Sequence, residues 1–189
     1  MKFDTGTELP DNFVLTKEFS DVYNLINDTN VNLFITGKAG SGKSTLLEYF
    51  RQNTNKNFVT LAFQGITAIK AKGQTLHSFF KFGPHFLAKE EIKLLKDKSL
   101  IQSLDTILID EISMVRADLF DAIDLSLKKN RKNNKPFGGV QMIVFGDVMQ
   151  IDPIVGSSDE EMMEKFYPKG RFFFNSNIYE KEKFKQIEL

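Results

Sequence analysis

Residues 37–44 read Gly37-Lys38-Ala39-Gly40-Ser41-Gly42-Lys43-Ser44, directly after the β-rich run Val31-Asn32-Leu33-Phe34-Ile35-Thr36. A G-x-x-x-x-G-K-S string between a strand and a helix admits few folds. The glycines let the backbone turn its N–H groups inward around an anion. A helix starting near Lys43 and running to about Gln52 points its positive end at the same anion. Lys43 supplies a point charge suited to bridging β- and γ-phosphates. Ser44 offers a hydroxyl to Mg2+, which keeps several waters and nucleotide oxygens as its other ligands. Gly37, Ala39, Gly40, Ser41, Gly42, Lys43, Ser44 and Thr45 are therefore the candidate nucleotide-binding residues.

The rest of the chain alternates strand-like and helix-like segments, which predicts an α/β fold with a parallel sheet flanked by helices. Phe19, Val22, Tyr23 and Ile26 fall at helical spacing over 16–28, with Thr16 as N-cap. Residues 57–63 read as a second strand, 66–72 and 75–81 as short helices around Gly73, and Glu90–Asp97 as an amphipathic helix. Thr106–Ile109 is an apolar strand of the type buried on both faces. Asp118–Lys129 reads as a helix, Val140–Phe145 as a strand, and Arg171–Phe174 as one further strand.

Ile107-Leu108-Ile109-Asp110-Glu111 is an apolar strand ending in two acids. Such a strand is expected beside the phosphate loop, its first acid, Asp110, sharing the Mg2+ with Ser44. Glu111 is then the candidate base that orients the attacking water. Adjacent carboxylates are costly without a cation, so the pair calls for one. Gln141-Met142-Ile143-Val144-Phe145-Gly146-Asp147-Val148-Met149-Gln150 is a strand, a turn and an amide. Gln150 is the candidate γ-phosphate sensor, with Asp147 to orient it or Lys43. Lys43, Glu111 and Gln150 make up the expected catalytic set.

Charge and composition narrow the partners. The net charge is zero, so any nucleic-acid grip has to be local. Of 25 basic residues four are arginines (Arg51, Arg116, Arg131, Arg171), and the rest are lysines. The basic, Asn-rich stretch Lys128–Lys135 reads as a solvated helix end and loop. With no cysteine, disulfides and thiolate metal sites are excluded. No signal-peptide pattern and no membrane-length apolar run is visible, so a soluble, cytoplasmic protein is expected.

The three segments together resemble superfamily 1 DNA helicases of the petite-integration-frequency type and their RecD-like relatives. The likeness is carried by Gly37–Thr45, by Gln64-Gly65-Ile66-Thr67-Ala68 with Gly73-Gln74-Thr75-Leu76-His77-Ser78-Phe79-Phe80, by Asp110-Glu111-Ile112-Ser113-Met114-Val115, and by Phe137-Gly138-Gly139-Val140-Gln141 leading to Gly146–Gln150. It spans about residues 16–189. It implies a RecA-like motor domain that binds ATP and Mg2+ and grips single-stranded DNA with the segment after the second strand. By matching positions, Gly65, Thr67, Thr75, His77 and Ser78 become candidate DNA contacts. Phe79 and Phe80 are candidates for base stacking, against the plainer reading of two core aromatics. The family usually shows Ala-Pro-Thr-Gly where this chain has Ala62-Phe63-Gln64-Gly65. No base-reading Gln precedes Gln52, which leaves Phe13 or Tyr23 to pack on the adenine.

The expected organisation is an N-terminal segment, 1–28, with one helix near the nucleotide site, and a first motor domain over 29–189. The resemblance implies a second RecA-like domain beyond this chain, supplying an arginine finger that none of the four arginines here provides. A monomer is expected, and slow hydrolysis by this chain alone. Two other readings stay open: a nucleotide-gated binding module that never translocates, and another P-loop ATPase or kinase without unwinding activity.

Overall fold

A computed structural model describes residues 9, 13–71, 73–147, 149 and 151–189. A parallel sheet runs through its centre. Its strands are β1 (Leu33–Thr36), β2 (Phe58–Ala62), β3 (Gln74–Thr75), β4 (Thr106–Asp110), β5 (Gln141–Phe145) and β6 (Lys185–Glu188). Their order across the sheet is β3-β2-β4-β5-β1-β6, and every pairing is parallel. Thr60, Leu108, Ile143 and Leu33 form one row across four strands. Two to three residues beyond that row all four strands stop, at Ala62, Asp110, Phe145 and Thr36. The chemistry-bearing turns therefore leave the sheet from one edge, where open α/β sheets bind their ligands.

Side-chain alternation splits the core between the two faces. Phe34, Leu61, Ile107, Ile109, Met142 and Val144 pack on one side with Phe120, Ile123, Leu127 and Phe173. Leu33, Ile35, Leu108, Ile143 and Phe145 pack on the other with Val22, Ile26, Leu46 and Phe50. That is why β4 and β5 read as unbroken apolar runs: both faces are covered.

Two helices cover the second face. Helix α1 (Lys17–Asp28) begins where the Thr16 hydroxyl accepts from the Phe19 amide at 3.2 Å, and it buries Val22 and Ile26. Helix α2 (Lys43–Asn53) buries Leu46, Leu47 and Phe50. Two short helices follow β2: α3 (Gly65–Lys70) and α4 (Leu76–Phe80). On the first face lie α5 (Ser99–Ser103), α6 (Ala117–Arg131) and α8 (Asn177–Lys181), with α7 (Glu160–Phe166) between the last two in sequence. Among the described residues, no helix is long and apolar enough to cross a membrane.

Strand β4, whose end is expected beside the phosphate loop, is separated from β1 by β5. Two expectations need correction. The helix expected over Glu90–Asp97 is a single 3-10 turn, Lys89–Glu91. Its apolar spacing is met instead by an irregular strap on α6. Ile92 is buried, Lys129 Nζ donates to the Ile92 carbonyl at 2.8 Å, and Asn130 Oδ1 accepts from the Leu95 amide at 2.9 Å. Side chains of α6 thus take backbone groups that a helix would have paired internally. Arg171–Phe174 forms one antiparallel bridge, Arg116 to Phe172, and then a 3-10 turn over Phe173–Asn175. Phe173 is driven into the core between Phe34 and Phe120, which bends the chain before a strand can extend.

Candidate functional site

The loop after β1 is built by backbone geometry that side chains resist. Gly40 and Gly42 sit at φ +80° and +100°, in the left-handed region that glycine enters without steric cost. Gly42 is the N-cap of α2, so the helix starts on the last turn of the loop. Lys43 Nζ donates to the carbonyls of Gly37 and Lys38, the latter at 3.0 Å, and reaches Ser41 Oγ at 3.5 Å. The ammonium is thus held over the loop by neutral oxygen acceptors. Ala39 and Ser44 are exposed, and Ser41 and Thr45 are partly so.

Helix α1 reaches this loop through Phe19, whose ring lies 3.4 Å from where a Cβ on Gly42 would stand. Phe19 joins a cluster with Phe13, Tyr49 and Tyr23. The Tyr23 hydroxyl donates to the Asn53 carbonyl at 2.9 Å and its ring packs on Tyr49 and Phe50. Of the two aromatics considered for the adenine, Tyr23 is thus tied into the packing of α1 on α2.

The acids occupy the turn after β4. Burial raises the Asp110 carboxyl above its ordinary pKa. The Glu111 amide, donating to Asp110 Oδ1 at 2.9 Å, pulls it back; the Glu111 charge pushes it up again, and the Lys43 ammonium lowers it. Lys43 and Asp110 are therefore close enough to feel each other's charge. A desolvated carboxylate within charge reach of the loop lysine offers hard oxygen donors, which suits Mg2+ bound by one or two carboxylates plus phosphate.

Glu111 stands at φ 52°, ψ 49°. For a residue with a Cβ this costs of order 1–3 kcal/mol, and such outliers cluster at functional sites. Gly146, at the end of β5, makes the turn possible. A Cβ there would meet Ile112 Cγ2 at 2.9 Å and the Ile112 amide nitrogen at 3.2 Å, so only glycine lets β5 close on the acid turn. Asp147 Oδ1 accepts from the Met149 amide at 3.0 Å, which caps its own loop. Gln150 lies outside the described residues.

The residues after β2 divide. Gly65 and Ser78 are exposed. Thr67 is buried, and its hydroxyl donates to Glu111 Oε2 at 2.8 Å, so the group expected on DNA faces the acid turn instead. Thr75 caps α4, its Oγ1 accepting from the Ser78 amide at 3.2 Å. Phe79 and Phe80 are buried, meet edge to face, and continue to Phe82, which stacks on Phe80, so they belong to the core rather than to a base-stacking platform. The His77 ring packs edge-on against Phe63 at 5.5 Å. Burial lowers its pKa below the ordinary 6.5, Arg116 lowers it further, and Asp118 opposes.

His77 is thus a neutral imidazole near pH 7, which makes a testable stability statement. Between its folded and unfolded pKa values the unfolded chain binds more protons, so stability rises with pH there. The contribution is whole above 6.5 and is lost as pH falls through the lower folded value. Urea midpoints at pH 7.5 and 5.5 are expected to differ more for the unaltered chain than for His77→Gln.

Local sequence gave no signal for two features. The Thr67–Glu111 bond joins residues 44 apart in sequence. Arg116 is held by Asp118 and Asp159, the latter 43 residues away. The other arginines differ. Arg51 donates to Thr60 Oγ1 and to the Ala71 carbonyl, and Arg131 to the carbonyls of Gly138 and Leu104. Three of the four are thus structural braces, and Arg171 is exposed.

A glycine-lined loop entering a helix, with an acid pair two strands away on an all-parallel sheet, defines a P-loop NTPase with a RecA-like fold. Comparison with known proteins narrows this. The PIF1-like helicase family matches residues 14–172, and the chain belongs to that family. It is similar to the ATP-dependent DNA helicase RRM3 of Saccharomyces cerevisiae, 35% identical over 163 residues. That match covers 81% of this chain and 22% of the relative. The ATP-dependent DNA helicase Pif1 of Psychrobacter is 39% identical over 152 residues, covering 73% of this chain and 22% of the relative. The chain therefore spans about a fifth of the length of these relatives. Among solved structures, Pif1 helicase from Bacteroides in complex with ADP-AlF3 and single-stranded DNA superposes with TM-score 0.86 at 39% identity, covering 94% of this chain and 42% of that one.

Proposed function

We propose that this chain is the first motor domain of an ATP-dependent DNA helicase, coupling ATP hydrolysis to movement on single-stranded DNA and to duplex unwinding. The observation that carries the reading is the acid turn. Asp110 stands within charge reach of both Lys43 and Glu111 at the sheet edge, in a chain of the PIF1-like family. The structures related to it that hold ADP-AlF3 and single-stranded DNA support the choice of ligands.

In this mechanism residues 37–45 wrap the triphosphate with backbone N–H groups. Lys43 leaves the Gly37 and Lys38 carbonyls for β- and γ-phosphate oxygens. Ser44 and Asp110 would hold Mg2+, which would neutralise charge on the phosphates. Glu111 aligns and polarises the attacking water. Gln150 senses the γ-phosphate. Gly65, His77 and Ser78 lie along the segment that meets DNA, where backbone and neutral polar groups suit contacts that do not read sequence. The 1–28 segment packs Phe19 beside the loop, and Phe13 is the candidate face for the adenine. The remaining partner is a second RecA-like domain of the same polypeptide, with the whole acting as a monomer.

The test is ATP turnover titrated with single-stranded DNA, on the protein with its second motor domain. Stimulation of about tenfold or more supports the reading, and a flat titration defeats it. The isolated chain is expected to turn over below about 1 s⁻¹ even with DNA, because an arginine finger is worth roughly 10³–10⁵ in this enzyme class.

A further inference from the structure

We infer that Thr67 is a positioning residue for the hydrolytic glutamate, and that its hydroxyl is the mechanical link between helix α3 and Glu111. The inference rests on the motor reading for the role of Glu111 and adds the residue that holds it.

The bond is 2.8 Å from Thr67 Oγ1 to Glu111 Oε2. Thr67 is 6% exposed, so little water competes for the donor. The Glu111 backbone is already fixed. Its amide donates to Asp110 Oδ1 at 2.9 Å, its carbonyl accepts from the Met114 amide at 3.2 Å, and its φ of 52° leaves the chain no easy alternative. What remains free is the side chain, and the threonine hydroxyl restrains it. An ionised carboxylate has about four acceptor sites on two oxygens, so one bond from Thr67 still leaves Oε1 for water.

The link also has a direction. Helix α3 is six residues long, with Thr67 and Ala68 turned inward. Ile66 and Ile69 are 64% and 77% exposed, and Gly65 has open space where a Cβ would stand. A ligand pressing on the outer side of so short a helix moves its inner side with it, and the inner side carries the donor to Glu111. Misplacing a reacting group by 1 Å can cost about 10²-fold in rate, so a small shift of α3 suffices to gate the base. The Thr67 hydroxyl thus gives the segment after β2 a direct link to the base.

The experiment compares Thr67→Val, Thr67→Ala and Thr67→Ser on the protein with its second motor domain. Turnover is read with and without a dT oligonucleotide, together with KM for ATP and oligonucleotide affinity. Thr67→Val and Thr67→Ala are expected to lower DNA-stimulated kcat about tenfold, a fraction of what a general base contributes. KM and DNA affinity should stay within about twofold, the pattern of an interaction lost only in the transition state. Thr67→Ser should restore most of the rate, because it keeps the donor. Unchanged stimulated kcat in both donor-less variants overturns the link, as does a Thr67→Ser variant as slow as Thr67→Ala. DNA affinity that weakens in step with kcat overturns it too, since Thr67 would then be a DNA contact. Should the unaltered protein ignore DNA, the motor reading fails by itself. The positioning role is then decided by basal kcat: a fall at constant KM upholds it, and no fall sinks it.

Discussion

Glu111→Gln is expected to lower ATP turnover by about 10²–10⁴-fold while leaving nucleotide affinity within about twofold. The substitution is well matched to the site. Glutamine keeps side-chain length, so the φ of 52° at this position is no more strained than before. Its amide oxygen still accepts from Thr67 Oγ1, which stands 2.8 Å from Glu111 Oε2. The Asp110 carboxyl keeps its bond from the residue 111 backbone amide, because that bond does not involve the side chain. What disappears is the negative charge and the proton-accepting oxygen. One further effect points the same way as retained binding. The Glu111 charge helps to push the Asp110 carboxyl upward, so its removal makes Asp110 a more willing anion for a cation. Binding of a fluorescent ATP analogue and single-turnover hydrolysis separate the two quantities. Turnover within tenfold of the unaltered protein would remove Glu111 from the chemistry and leave it as a strained turn residue.

The site was legible where its chemistry is local. Gly37–Thr45 and Ile107–Glu111 announce themselves because a loop and a strand end are each written in consecutive residues, and the conformations that glycine permits are visible as glycines. Strand order was not legible in the same way. Placing β5 between β1 and β4 is a fact about which apolar runs lie side by side, and the runs at 106–110 and 141–145 look alike in sequence. Strand β6 was missed because Lys185, Gln186 and Glu188 are polar and exposed at a sheet edge. Only backbone pairing with β1 makes that stretch a strand. Residues 90–97 misled for the opposite reason. Their spacing is that of a helix, but Lys129 and Asn130 compete for the backbone and win. Among the proposed DNA contacts, the side chains of Thr67, Phe79 and Phe80 turned out to face inward, because residue type near a motif does not say which side of a short helix a side chain occupies.

Arg116→Met is expected to destabilise the fold by about 3–5 kcal/mol, the cost of leaving a buried ion-pair partner uncompensated, and to lower Tm by roughly 6–20 °C. The guanidinium makes paired bonds to Asp118, Nε to Oδ1 at 2.9 Å and Nη2 to Oδ2 at 2.8 Å. It also donates to Asp159 Oδ2 at 3.2 Å and to the His85 carbonyl at 3.0 Å. Asp118 and Asp159 are 1% and 7% exposed, so without the cation two carboxylates are stranded out of water. The network ties three stretches together: the strap that carries Leu87, whose amide donates to Asp118 Oδ2 at 3.0 Å, the start of α6, and the residue before α7. Methionine matches much of the arginine stem, so the loss reports the charge and its hydrogen bonds rather than a cavity. Because α6 starts six residues after Glu111, the acid turn is expected to loosen in parallel, so that the variant loses ATP affinity and turnover together. That pairing distinguishes it from Glu111→Gln, which separates them. A Tm within about 2 °C of the unaltered chain would mean that water reaches the two aspartates and that the brace adds little.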